Sequence, residues 1–209
     1  MFTGIVQGLC EVADIKEERK LHRLVVNAKH LSEGVQLGAS VAINGTCLTV
    51  TASNDHHLSF DIISESLERT NLGRVCVGGH VNVERSLRFG DEIGGHILSG
   101  HVSDVVKVNR IVKDGHEHVI WFDVDPRWMR YLPYKGFVAL DGASLTISGV
   151  DSDVRKSIAQ ISVSLIPETL ARTTLGRLEI GDLVNLEIDA QTQTIVDSVE
   201  RLLPDLLDR

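Results

Sequence analysis

The chain has 209 residues, of which 43% are hydrophobic, 24% are charged and 4% are aromatic. This apolar fraction can fill a core, so the composition excludes a largely disordered protein, and the length allows two domains of roughly 100 residues each. A net charge of −8 argues against nucleic acid or an anionic membrane as the main partner. The three cysteines form no CxxC pair, which argues against a disulfide scaffold and a cysteine-only zinc site.

The sequence lacks the motifs of several large function classes. No GxGxxG, GxxxxGK[ST] or GxSxG is present, which argues against a dinucleotide fold, a P-loop and an α/β hydrolase. The opening MFTGIVQGL has no cationic segment before a long apolar one, and no run of about 18 apolar residues exists. We therefore expect a soluble, cytoplasmic protein.

Two pairs of histidines have the residue type of a metal site. His56 and His57 are adjacent, and His116 and His118 flank Glu117. Because no third ligand accompanies either pair, we expect both to lie in solvated loops, and we expect no metal.

The chain contains an internal repeat. The segment ESLERTNLG at 65–73 matches ETLARTTLG at 168–176, and the offset of 103 also carries VNVE at 81–84 onto VNLE at 184–187. Two further pairs follow the same order at offsets of 97 and 96: INGTCLTV (43–50) with LDGASLTI (140–147), and Gly4-Ile5-Val6 with Gly100-His101-Val102. We infer two homologous domains, 1–95 and 96–190, followed by a tail at 191–209.

The segments between the repeated motifs are typical of β-strands. The sequence SVAINGTCLTVTA alternates apolar with small polar residues, and Asn44-Gly45 and Asp141-Gly142 are hairpin-turn signals. About six short strands per half predict an all-β fold of two similar closed antiparallel barrels. Short helices are predicted at SESLERTNL, capped by Ser64 or Ser66, and after Asp125, where Pro126 takes the first helical position.

The tail is predicted to be an amphipathic helix. Ile195, Val199, Leu202 and Leu206 recur at intervals of four, three and four residues, and Pro204 kinks or ends the helix. This apolar stripe either covers the helix's own barrel or mediates self-association. The spacing does not separate the two.

A few residues have chemistry beyond packing. Cys47 and Ser144 occupy equivalent positions in the repeat, and each is followed by Leu-Thr, which fits a nucleophile or donor at a barrel mouth or a small buried side chain. His101 lies in GGHILSGHV at 94–102, the glycine-rich junction between the two halves, where it either transfers protons or is structural. Asp189 either orients a base or is an exposed carboxylate, and Lys135 either contacts a ligand or lies on the surface.

The motifs together resemble the riboflavin synthase family. The similarity covers MFTGIV, both copies of the repeats, the junction DEIGGHILSGHV and the tail TQTIVDSVERLL, and so essentially the whole chain. It implies two six-stranded antiparallel Greek-key barrels with a C-terminal helix, assembled as a homotrimer through that helix. It also implies a transferase that needs no cofactor. In that reaction two molecules of 6,7-dimethyl-8-ribityllumazine exchange a four-carbon unit, giving riboflavin and 5-amino-6-ribitylaminouracil.

The resemblance also implies the site residues. The first pocket would comprise Gly4, Ile5, Val6, Cys47, Leu48, Thr49, Asp61, Ile62, Ile63, Ser64, Glu65 and Ser66. The second would comprise Gly100, His101, Val102, Lys135, Ser144, Leu145, Thr146, Ser164, Leu165, Ile166, Pro167, Glu168 and Thr169, supplied by a neighbouring subunit. Catalytic roles would belong to Cys47, His101, Ser144, Thr146 and Asp189, with His101 and Ser144 assisting proton transfer and Cys47 contacting or activating a substrate.

A different class of relative remains as an alternative. Non-catalytic paralogues hold a lumazine or flavin as a fluorescent antenna, and one ligand needs only one pocket. Both halves here keep Gly-x-[Cys/Ser]-Leu-Thr and Glu-x-Leu-x-Arg-Thr, and His101 is present. This favours the enzyme.

Overall fold

A computed structural model describes residues 1–18, 21–115, 117–153 and 158–207. Over these residues it confirms the prediction of two closed six-stranded barrels followed by a C-terminal helix. The first barrel contains β1 (Gly8–Glu18), β2 (Leu21–Asn27), β3 (Ser40–Ile43), β4 (Thr46–Asn54), β5 (His57–Ile63) and β6 (His80–Arg85). The second contains β7 (Asp104–Asp114), β8 (Glu117–Asp123), β9 (Phe137–Leu140), β10 (Ala143–Asp153), β11 (Ile158–Ser164) and β12 (Leu183–Ile188).

The two barrels have the same topology. The first has the strand order β1-β2-β5-β4-β3-β6, and the second repeats it as β7-β8-β11-β10-β9-β12. Placing β2 beside β5 rather than β3 is a Greek-key connection. Bulges after Val12 and Val50 recur after Val108 and Ile147 in the second half, where they bend the strands toward closure. Each barrel encloses its own apolar core.

Short helices connect the strands. Among the described residues, the α-helices are α1 (Ser64–Arg69), α2 (Pro167–Arg172) and α3 (Ala190–Leu207), and the 3₁₀ helices are Lys29–Ser32, Asn71–Arg74, Pro126–Tyr131 and Thr174–Arg177. The helix predicted after Asp125 is therefore a 3₁₀ helix, with Pro126 in its first turn and the Asp125 carboxylate accepting from Arg127 N–H at 2.9 Å.

The predicted serine caps of α1 are wrong. The N-cap residue is Ile63, and no side chain caps this helix, because Ser64 already lies inside it and Ser66 is further along. Instead, Thr70 caps the following 3₁₀ helix by accepting from Leu72 N–H at 3.3 Å. The second half repeats this cap at the equivalent threonine, which explains the threonine in both copies of the motif.

The tail helix α3 packs on the second barrel and also leaves an apolar face uncovered. Val196 contacts the second core, and the Tyr131 hydroxyl donates to Asp197 Oδ1 at 2.5 Å. Ile195 and Val199 on another face are 63% and 51% exposed. The helix continues past Pro204, so of the two predicted alternatives, a kink or an end at this proline, the end is wrong. None of the helices in the described segments has the length and apolarity to span a membrane.

The two turns predicted from Asn-Gly and Asp-Gly lie face to face between the barrels. Asn44, Gly45, Asp141 and Gly142 all have positive φ, between 46° and 79°, as Asn, Asp and Gly favour in hairpin turns. A Cβ added to Gly45 would lie 2.6 Å from the Gly142 nitrogen, and one added to Gly142 would lie 2.8 Å from the Gly45 nitrogen. Because no side chain fits, this contact sets how closely the barrels approach.

A buried hydrogen-bond network joins the barrels around these turns. Asn82 donates its backbone N–H to Asn44 Oδ1 and its side-chain N–H to the Asp141 carbonyl, both at 2.8 Å. Asn185 mirrors it, donating to Asp141 Oδ1 at 2.9 Å and to the Asn44 carbonyl at 2.8 Å. The asparagine of each repeated VN motif thus binds both turns. This reciprocity relates the two halves by an approximate twofold axis.

Asp141 brings a carboxyl group into this network. It is 2% exposed and accepts from Asn71 Nδ2 at 2.8 Å and from Thr174 Oγ1 at 3.0 Å. Burial raises its pKa to about 7, although hydrogen bonds from the network oppose the shift. The first barrel has Asn44 at the matching position, so a neutral amide is compatible with this place in the fold.

We expect the substitution Asp141→Asn to remove a pH dependence of stability. The pKa of Asp141 is about 7 in the folded chain and ordinarily 3.8, so folding takes up a proton between these values. As the pH rises from about 5 to 7, the unfolding free energy of the wild type therefore falls by about 1 kcal/mol per pH unit relative to that of the variant. Above pH 7 the difference between the two proteins stays constant. Urea unfolding of both proteins across this range measures the difference. A difference that stays constant with pH would contradict the raised pKa.

Candidate active site

A polar strip runs across the outer face of the first barrel. Ser40 pairs with Thr49 across β3 and β4, and Asp61 pairs with Arg23 across β5 and β2. These residues are partly or fully exposed, whereas their neighbours in the strands point into the core. We call Ser40, Thr49, Asp61 and Arg23 the first strip. Asp61 and Thr49 belong to the predicted first pocket.

An ion pair fixes one end of the first strip. Arg23 Nε and Nη2 lie 2.7 and 3.0 Å from the two Asp61 carboxylate oxygens, and this hydrogen bonding lowers the pKa of Asp61. The second barrel pairs Ser164 with Val119 at the equivalent strands. The outer faces of the two barrels, which we call the first and second faces, therefore share a fold but differ in charge. The first face offers a carboxylate held in a bidentate pair.

Each segment that precedes a barrel contacts the predicted pocket residues of the other barrel. Ser144 donates its backbone N–H to the Gly4 carbonyl at 2.8 Å, and Cys47 donates to the Gly100 carbonyl at 2.9 Å. A cavity of about 190 Å³ is bounded by Gly4–Val6, Ala143–Ser144 and Glu168–Thr169. The grouping expected from the sequence is thus corrected: Gly4–Val6 lies with the Ser144 pocket, and Gly100 lies with Cys47.

Two buried glutamates hold the exchanged segments in place. Glu84 accepts from the backbone and hydroxyl of Thr3 at 2.7 and 2.9 Å, and from Gly4 N–H at 3.1 Å. Glu187 accepts in the same way from the backbone and hydroxyl of Ser99, both at 2.7 Å. Burial raises the pKa of both carboxyl groups, although these hydrogen bonds oppose the shift. The repeated glutamates were visible in the sequence, but their partners were not.

Ser144 forms a close pair with a histidine that sequence analysis passed over. The Ser144 hydroxyl lies 2.6 Å from His96 Nδ1, and the imidazole stacks on Phe137 with ring centroids 5.0 Å apart. His96 is 7% exposed, and within the described part of the chain its Nε2 has no hydrogen-bond partner. Burial lowers its pKa, and the negative charge of Asp189 opposes this shift. A neutral imidazole next to a hydroxyl can accept a proton.

The other residues predicted to be catalytic or to line the second pocket differ in how deeply they are buried. Asp189 is 9% exposed and caps α3 by accepting from the Thr192 backbone and hydroxyl at 2.9 and 2.7 Å. Burial alone would raise its pKa, but these hydrogen bonds leave it lowered, so Asp189 is an anion near His96. Thr146 is exposed and pairs with Phe137, and Lys135 is exposed.

His101 and Cys47 take less buried positions. His101 is exposed, and its backbone N–H donates to Ser99 Oγ at 3.1 Å. Cys47 is half-buried beside a small apolar cluster that includes Phe2 and Leu98. Of the two histidines in the junction, the structure brings His96 rather than His101 to Ser144.

Three of the predicted binding residues point their side chains into the cores. Leu48, Ile62 and Leu165 are 6%, 2% and 4% exposed, so only their backbone is available to a ligand. Ile63 and Ile166, which occupy matching positions before α1 and α2, are exposed. The other predicted residues in these connections lie at or just inside the two short helices: Ser64, Glu65, Ser66, Pro167, Glu168 and Thr169.

The histidine pairs predicted to be solvated have a mixed outcome. His56 is exposed in a hairpin turn, whereas His57 and His118 are partly buried in β5 and β8. His116 lies outside the described residues. Within the segments that the structure covers, no three His, Cys, Asp or Glu side chains are grouped to hold a metal ion.

Comparison with known proteins identifies the duplicated unit. The family model of the lumazine binding domain matches residues 3–86 and again residues 99–189. The riboflavin synthase of Escherichia coli strain K12 is 49% identical over 97% of this chain and 93% of its own length. The riboflavin synthase of Chlamydia pneumoniae is 42% identical over 97% of this chain and 97% of its own length.

A solved structure supports the same conclusion. LumP in complex with riboflavin superposes with a TM-score of 0.80 at 26% identity, covering 90% of this chain and 100% of LumP. The second matched range begins 96 residues after the first one begins and ends 103 residues after the first one ends. These are the offsets found in the sequence repeat. The chain therefore belongs to the lumazine binding domain family, with one copy of the domain in each barrel.

Proposed function

We propose that this chain is a transferase that converts two molecules of 6,7-dimethyl-8-ribityllumazine into riboflavin and 5-amino-6-ribitylaminouracil. One lumazine gives up a four-carbon unit and the other accepts it, so atoms and electrons balance between two copies of one substrate. Riboflavin synthases 40–49% identical over nearly the full length support this reaction. The observation that carries it is the retention of both faces, with the Ser144–His96 pair on the second.

The Ser144–His96 pair supplies the proton chemistry in this proposal. We assign the Ser144 hydroxyl as the donor to Nδ1 of the neutral imidazole, which leaves the imidazole proton on Nε2. The pair then takes up a proton from the 7-methyl group of a lumazine held on the second face. Positioning of two like molecules supplies the rest of the acceleration.

The ribityl chains and the ring edges are assigned to the two faces. In the first pocket, Asp61 accepts hydrogen bonds from ribityl hydroxyls while Arg23 holds the carboxylate in place. Backbone groups of Gly100–Val102 and the side chains of Cys47 and Thr49 contact the ring of that lumazine. In the second pocket, Gly4–Val6, Lys135, Thr146 and Ser164–Thr169 play the matching parts.

The proposal includes a homotrimer in which α3 joins the subunits. Ile195, Val199 and Leu202 form an exposed apolar face on α3, and an exposed apolar face of this kind is typical of association surfaces. The first face of one subunit then meets the second face of a neighbour. We place the protein in the cytoplasm, where its three free thiols fit a reducing compartment.

The test is an activity assay without added cofactor. Purified full-length chain is incubated with 6,7-dimethyl-8-ribityllumazine, and substrate loss and riboflavin formation are followed by absorbance. We expect two lumazines consumed per riboflavin formed, with the aminouracil as co-product. Tight lumazine binding without turnover, by folded and assembled protein, would instead identify an antenna-type binding protein.

A further inference from the structure

A polar cavity on the first barrel lies beside the first strip. Its volume is about 220 Å³, and its lining includes Arg85, Arg88, Ser40, Ser86 and the Gln36 amide. The residues that line it include no carboxylate. Two cations, two hydroxyls and an amide make a lining that favours an anion.

Arg85 is held in a fixed position at this cavity. Its Nη1 donates to the Glu33 carbonyl at 2.8 Å and to the Leu31 carbonyl at 3.4 Å, which leaves Nε and Nη2 as further donors. A guanidinium group fixed by the protein loses less conformational entropy when it binds a ligand.

The two arginines are close together without a counter-ion. Burial and the nearby charge of Arg88 lower the pKa of Arg85. Across the described ranges, neither guanidinium forms an ion pair. Asp91 accepts from the Arg88 backbone N–H at 2.8 Å, so this carboxylate is bound to the main chain. A ligand with negative charge would relieve the repulsion between the cations.

The second barrel shows that these cations are not needed to build the fold. The offset of 103 places Ile188 and Asp189 at the positions of Arg85 and Ser86. There, Ile188 is buried in the core and Asp189 caps α3. The arginine cavity is therefore a feature of the first half that barrel formation does not explain.

We propose that this cavity is an oxyanion site that binds a phosphate group. Ser40 belongs both to the cavity and to the first strip, so the phosphate is either a free ion or an ester on a molecule lying along the strip. This inference does not depend on the proposed reaction, because it concerns binding alone.

The test measures phosphate binding to the full-length chain by ³¹P NMR titration. We expect saturable binding of inorganic phosphate with a Kd on the order of 1 mM, weakened about 10-fold by Arg85→Gln and by Arg88→Gln. Arg88 is exposed, so its replacement tests the site even where the Arg85 variant folds poorly. Arg177→Gln removes an exposed arginine from the other barrel, and this control should bind like the wild type.

A second arm separates the two sources of phosphate. Where the phosphate is an ester, riboflavin 5′-phosphate binds the wild type more tightly than riboflavin does, and the arginine variants lose this gain. Where it is a free ion, inorganic phosphate binds and the ester shows no gain. The proposal is overturned when neither ligand shows binding that the arginine variants reduce, or when Arg177→Gln reduces it equally.

Discussion

Replacing His96 by glutamine is expected to lower kcat by about 100-fold, with a much smaller change in KM. Glutamine keeps a hydrogen bond to Ser144 but accepts no proton at neutral pH. The imidazole lies 2.6 Å from the Ser144 hydroxyl and is buried against Phe137, so the variant loses proton transfer while the lumazine-binding faces stay intact. Steady-state kinetics and lumazine binding to the same preparation measure the two effects separately.

The pH profile distinguishes proton transfer from a merely structural role. Burial lowers the pKa of His96, so the wild type keeps the neutral base at neutral pH and loses activity only as the pH falls through that lowered pKa. His96→Gln should lack this acidic limb. Ser144→Ala should show a similar loss, and the double variant should be no worse than either single one, because the two groups act together.

His56→Gln provides the matched control for the His96 variant. His56 is exposed in a hairpin turn of the first barrel and belongs to neither predicted pocket, and we expect wild-type kinetics. A His96→Gln enzyme within about threefold of wild-type kcat would show that Ser144 needs no base.

The repeat made most of the fold predictable from the sequence. The number of domains and the position of their hairpins could be predicted from the VNVE and VNLE copies and from the two Gly-containing turns. This was possible because hairpin and strand signals are local. The exchange of Gly4 and Gly100 between the pockets was not predictable in this way. It depends on contacts such as Ser144 with Gly4, which are far apart in the sequence and carry no local signal.

The candidate site was predicted at the level of segments rather than side chains. The glycine-rich junction was recognised, but the sequence offers two histidines there, five residues apart, and their spacing does not reveal which one is buried. His96 reaches Ser144 because Gly95 packs against that serine, where an added Cβ would lie 2.6 Å from the Ser144 Cβ. The Arg23–Asp61 pair was equally hidden, since only strand register brings β2 beside β5.

Replacing Val199 by glutamate is expected to dissociate the proposed trimer and to lower activity at least about 10-fold. Val199 is 51% exposed on α3, on the same apolar face as the exposed Ile195 and Leu202. A trimer contact through this face would bury three new carboxylates together, and unpaired buried charge costs several kcal/mol. Because the proposed reaction needs the first face of one subunit and the second face of its neighbour, separated chains hold lumazines without bringing them together.

Light scattering of the Val199→Glu variant should give the mass of one chain, with a far-UV circular dichroism spectrum like the wild type. Thr194→Glu adds the same charge at an exposed position on the same helix, and it should remain assembled and active. Lumazine should still bind to the separated chains, because each face is built within one chain. Full activity in a monomeric Val199→Glu protein would mean that both lumazines meet within a single chain, and it would refute the role assigned to α3.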